Sequence, residues 1–187
     1  MRKPLLAAAL TAPLLAGSLA AQATELSQVD AKRSSVNFIT RQMNVPMPGR
    51  FKNFTAQVAI DPARPEGGRA AVDIEVASID SGTKEGDEEA RGKDWFDAAR
   101  FPKASFVASG VKPLGGGKYQ AQGKLTIKGK SKDLSVPFTL RPDAGGAWFE
   151  GGFTMRRLEF GVGSGPWGDT DTVADAVQVS FKIFVKP

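Results

Sequence analysis

The feature that most constrains this chain is a period of two. In the stretch KLTIKGKSKDLSVPFTL, residues 124–140, Leu125 and Ile127, then Leu134, Val136, Phe138 and Leu140, fall on every second position. Lys124, Thr126, Lys128, Asp133 and Ser135 occupy the alternate positions. Side chains of a strand point alternately to its two faces, so the stretch predicts two strands, each with one dry and one wet face. The dry faces could meet a packed core, a second sheet, or a ligand held inside a barrel. The alternation alone does not choose among them.

The same pattern recurs along the chain. SSVNFITRQ, FTAQVAI, AAVDIEVASID, ASFVASGVK, KYQAQGKLTIKG, DLSVPFTL, AWFEGGFTMR and AVQVSFKIFV all read as strands. DPARPEGGR, PLGGG and RPDAGG separate them with Gly and Pro, the residues that punctuate strands. Only TKEGDEEARGKDWFD lacks the alternation, and its acids ahead of Arg91 and Lys93 suit a short helix. The expectation is therefore an antiparallel all-β fold, a barrel or a sandwich of about eight strands with one short helical insertion. A barrel of that size fills its interior with side chains or holds one small ligand.

The N-terminus reads MRKPLLAAALTAPLLAGSLAAQA: two cations, a Leu/Ala stretch, then small residues ending in Ala21-Gln22-Ala23. That layout predicts a secretory signal peptide over 1–23, cleaved after Ala23, and one mature domain over 24–187. The chain has no cysteine, so it carries neither a disulfide nor a lipidated cysteine. An exported, cysteine-free chain with a bacterial-type signal is expected in the periplasm. The net charge is only +5, and Arg2 and Lys3 belong to the signal. With the remaining cations spread along strands and turns, the pattern argues against nucleic acid. Lys124, Lys128, Lys130 and Lys132 form the densest cation group; they read as solubilising charge on a wet face and leave open transient contact with an anionic membrane surface.

Catalytic chemistry finds few residues to work with. There is no histidine, and with cysteine also missing, thiol catalysis and a zinc site of His/Cys type are excluded. No G-x-S-x-G elbow is present. Asp169, Asp171 and Asp175 lie close together in GDTDTVAD but lack the glycine and the terminal glutamate of a calcium loop, so they read as a solvated acidic turn. GVGSGPWG, residues 161–168, has no lysine at the phosphate-binding position and reads as a turn of closely approaching backbone. The reading is a non-enzyme with no metal and no cofactor.

Three ordered segments carry a family resemblance. GDEEARGKDWFDAARFPKASF contains Asp94, Trp95, Phe96 and Asp97 followed by Phe101-Pro102 and Phe106. LTIKGKSKDLSVPF places Leu125, Ile127, Gly129, Lys132 and Val136 in the pattern L-x-I-x-G-x-[ST]-K-x-[VL]-x-[VL]. RRLEFGVGSGPWGDTDTVADAVQVSF supplies Arg157, Phe160, Gly161, Gly163, Trp167, Asp169, Val173, Asp175 and Val177. Together they resemble the YceI-like, polyisoprenoid-binding proteins of bacteria over essentially the whole mature chain. Many members carry His-Leu where this chain has Glu89-Ala90, so any role of that histidine is absent. The resemblance implies a lipocalin-like barrel whose apolar lumen takes an isoprenoid lipid, such as a polyprenyl chain or a quinone tail. The lining it implies is Val36, Phe38, Phe54, Val58, Ile74, Phe106, Leu125, Ile127, Phe138, Phe153, Val179 and Phe181. Each of these residues also reads as plain core, the reading favoured without the resemblance. The alternative is a structural or interaction module with a filled barrel, and a homodimer is left open.

Overall fold

The computed structural model describes residues 25–61 and 64–187. The expected signal peptide, 1–23, lies outside the described residues. Among the described residues ten strands form a single antiparallel sheet: β1 (Gln28–Gln42), β2 (Val45–Phe51), β3 (Phe54–Ala59), β4 (Arg69–Glu75), β5 (Ile79–Asp80), β6 (Lys103–Gly115), β7 (Lys118–Ile127), β8 (Lys130–Asp143), β9 (Gly146–Arg156) and β10 (Ala176–Lys186). Among the described residues one α-helix, α1 (Lys84–Arg91), stands between β5 and β6, as the loss of alternation there predicted. The strand order is β3-β4-β6-β7-β8-β9-β10-β1-β2-β5. Strands β6 to β10 are neighbours in sequence and in space, so tight turns connect most of the wall.

The sheet curls until its ends meet. Leu26 and Ile60 exchange backbone hydrogen bonds of 3.1 and 3.2 Å, joining the lead into β1 to the end of β3. At the other end of β3, Lys52 N–H donates to Ser78 O and Glu75 N–H to Asn53 O. β1 bends on the way. Its register with β10 shifts between Asp30 and Ser35, where Ser34 Oγ donates to Asp30 O and accepts from Phe184 N–H.

The expected barrel with one helix is present, but with more strands than the alternation suggests. β2 reads VPMPGRF, and its two prolines disguise it. Pro46 lies opposite Arg41 and Pro48 opposite Ile39. β5 pairs with β2 only at Arg50 and Phe51, so among the described residues the Val45–Gly49 edge of β2 has no second partner strand. A proline costs an edge strand little, because the missing N–H would have pointed away from the sheet.

Candidate ligand cavity

The apolar faces of the curled sheet do not close on one another. They enclose a cavity of about 450 Å³, within the roughly 300 to 1,000 Å³ range of small-molecule sites. Nearly every strand contributes to its wall. Of the expected lining residues, Val36, Phe38, Val58, Ile74, Phe106, Leu125, Ile127, Phe138, Phe153, Val179 and Phe181 all border it. Phe54 does not. It stands opposite Ile74 but packs, half-buried, against the buried cluster that includes Val36, Ile60 and Val136. Alternation gives the face of a strand, not how far along the barrel the void extends.

The two ends of the cavity differ. Where β3 closes on β1, the wall includes Ile60, Val111 and Ile183, each buried. The opposite end gathers most of the exposed lining residues, Met47, Pro48, Thr83 and Glu89, and forms the mouth, with the exposed Arg69 the exception at the first end. Most of the polar lining is here too, with Thr40, Gln42, Ser81 and Thr83; Arg69 is a cation at the far end. Among the described residues, two buried side-chain polar atoms lack a hydrogen-bond partner, Thr40 Oγ1 and Trp95 Nε1. Both residues border the cavity.

Helix α1 is pinned across the mouth by short-range chemistry. Thr83 caps it by accepting from Gly86 N–H, and Glu85 and Asp87 occupy the first turn, where acids suit the helix dipole. Asp87 accepts from Ser81 N–H at 2.6 Å and Ser81 Oγ at 2.8 Å. At the other end Arg91 donates to Ala77 O and Ile79 O. Trp167 Nε1 donates to Glu89 Oε1 at 2.9 Å, linking α1 to the segment after β9. The Asp-Trp-Phe-Asp run follows α1 directly and folds back on it, with Phe96 N–H donating to Ala90 O. This brings the Trp95 ring to 5.6 Å from that of Trp167.

Beneath these rings lies Arg157, 1% exposed. Its guanidinium donates to the carbonyls of Ala174, Val162, Gly163, Trp167 and Val173, and it stands 5.6 Å from the Trp95 ring centre. Burial pulls its pKa down, opposed by the charge of Asp175. Gly163 has φ 66°, and a Cβ there would strike Arg157 Nη1. Glycine is thus required both by conformation and by space, which accounts for the glycine run without any phosphate.

Two expectations about charge resolve differently. Lys128 sits on a turn at φ 49° and bends inward, donating to Lys93 O at 2.8 Å and Gly161 O at 2.9 Å. Burial lowers its pKa, so it is a tether between loops and not part of a wet cationic face. The acidic turn disperses its carboxylates. Asp169 accepts from Thr172 Oγ1 and Asp171 N–H, while Asp175 accepts from Leu158 N–H and faces Arg156. Among the described residues no group of three His, Cys, Asp or Glu converges as metal ligands would.

The comparisons agree on the fold. A family model described as YceI-like domain matches residues 28–185. A UPF0312 protein of Azotobacter vinelandii is 28% identical over 169 residues, covering 87% of this chain and 88% of its own. BcnA of Burkholderia cenocepacia, known from its crystal structure, superposes with a TM-score of 0.82 at 46% identity, covering 84% of this chain and 99% of its own. A polyisoprenoid binding domain from Saccharophagus degradans, implicated in plant cell wall breakdown, superposes at a TM-score of 0.67 with 15% identity, covering 86% and 97%. At that identity the last likeness concerns the fold alone.

Proposed function

The chain belongs to the YceI-like domain family, and from that premise we propose that it binds an isoprenoid lipid, a polyprenyl chain or a quinone tail, and carries or buffers it in the periplasm without chemical change. The observation that carries this reading is the cavity of about 450 Å³ with aromatic and aliphatic side chains around its wall. A filled barrel, the other reading of the same alternation, would have no such space. Apolar burial contributes about 0.8 kcal/mol per methylene, so a long chain overcomes the cost of association with neither salt bridge nor metal. The Saccharophagus domain, by its name a polyisoprenoid binder, supports the same use of the same fold. The uneven lining sets the orientation: tail toward Ile60 and Ile183, polar head at the mouth near Thr40 and Gln42. The residues expected to hold the tail are those eleven of the implied lining that border the cavity, Val36 to Phe181 without Phe54. Binding needs no cofactor, and the signal over 1–23 would deliver the protein to the periplasm.

Native mass spectrometry of protein taken from the periplasm without detergent tests the proposal. The expected spectrum shows a chain beginning at Thr24 with a stoichiometric adduct that organic solvent extracts. A bare chain that also refuses added polyprenols and quinones would overturn the carrier reading.

A further inference from the structure

We propose that the tip of the β1–β2 hairpin docks the protein on a lipid bilayer, so that lipid passes between membrane and cavity without crossing water; this rests on the lipid-binding reading above. Six large apolar side chains are markedly exposed among the described residues, and four belong to this hairpin: Ile39 at 40%, Met43 at 70%, Val45 at 58% and Met47 at 39%. Met43 and Asn44 are the two turn residues, at φ 48° and 64°. A turn of this kind favours Gly, Asn or Asp at both positions. A methionine in the first, projected into water, is unfavourable for backbone and side chain alike, and an apolar surroundings at the tip would remove the second penalty.

The tip is continuous with the cavity. Gln42 lies opposite Val45 and Thr40 opposite Met47, so these four share a face, and Thr40, Gln42, Met47 and Pro48 border the cavity at its mouth. The charge at the tip is mixed, because the turn bonded to it, through Met43 N–H to Thr172 O and Ala174 N–H to Arg41 O, carries the exposed Asp169 and Asp171. ITRQMNVPMPGRFK, residues 39–52, holds Arg41, Arg50 and Lys52 and no acid. Arg50 and Lys52 are paired with Asp80, while the Arg41 guanidinium donates to Asn44 O, a neutral partner, which holds its charge at the tip. The exposed apolar residues at the rim of the cavity, more than the charge, are what fit a membrane surface. A second copy adding to the β2 edge would meet Pro46 and Pro48, which break the ladder a sheet extension needs.

The test uses the mature chain and its Met43→Gly/Val45→Thr variant, which keeps the turn and strand preferences while removing the apolar tip. Leu114→Thr, at the exposed β6–β7 turn, is the control. Flotation with phosphatidylethanolamine–phosphatidylglycerol vesicles should carry the parent and the control. The double variant should float less by about tenfold or more, given the apolar area it loses, and take a fluorescent polyprenyl probe from the vesicles correspondingly more slowly. Farnesol added from solution should bind all three alike; failure of the parent to bind farnesol would count against the carrier reading, while flotation still reports on docking. Docking is overturned if the double variant floats and loads like the parent. It is overturned equally if the parent does not float, and a parent dimer that the double variant turns into a monomer would then assign the tip to a second copy.

Discussion

Arg157 shows how one residue can organise an end of a barrel. A cation taken from water needs its hydrogen bonds replaced, and here five backbone carbonyls between Val162 and Ala174 replace them. Nothing next to Arg157 in sequence marks it as buried, because its acceptors come from a loop that only the tertiary fold wraps around it. Lys128 was misread for a related reason: alternation places it on the wet face, whereas a left-handed turn turns it back onto Lys93 and Gly161. Thr40 presents the opposite case, a buried hydroxyl without a partner. Leaving such a group unsatisfied costs about 1 to 3 kcal/mol, so Thr40→Val should raise the melting temperature of the lipid-free protein while keeping a β-branched strand residue. A lower melting temperature would mean that the hydroxyl is satisfied in solution.

At the scale of elements, α1 was legible because its caps and charges are local, whereas β2 was hidden by prolines that only an edge position tolerates. The two-residue β5 is too short for any periodicity to reveal. The hold on α1 is electrostatic and should titrate. Ser81 N–H, then Ser81 Oγ and the charge of Arg91, keep the Asp87 carboxyl below its ordinary value of 3.8, against the opposing effects of burial and of Asp80. A carboxylate with a depressed folded pKa stabilises the native state above the unfolded value and loses that contribution as pH falls through the folded one. Hydrogen exchange in α1 should therefore accelerate as pH falls below 3.8, after correction for intrinsic exchange. Asp87→Asn removes the titrating group, so in that variant the exchange should be faster near neutral pH and change less with acid. Identical acid profiles in the two proteins would remove Asp87 as the anchor.

For the whole molecule, the antiparallel all-β fold followed from alternation and turns and its closure into a barrel from the family resemblance, but the void inside it from neither. A filled core and a ligand cavity require the same apolar face from each strand, and the difference lies in how tightly ten strands curl. The two therefore respond differently to added volume, and Leu125 is the place to add it. It is 7% exposed, borders the cavity and packs with Val76, Ala104, Ile127, Phe160 and Val162. In a filled core Leu125→Trp would overpack and cost about 1 to 3 kcal/mol. Beside free space the ring can turn into the volume a lipid tail would occupy, leaving the lipid-free protein near its normal melting temperature and unable to take up a polyprenyl chain. Val107→Trp adds a ring to a residue 54% exposed on β6 and should leave both properties unchanged. If Leu125→Trp unfolds the lipid-free protein, or binds polyprenol as the parent does, this wall belongs to the core and the tail lies elsewhere.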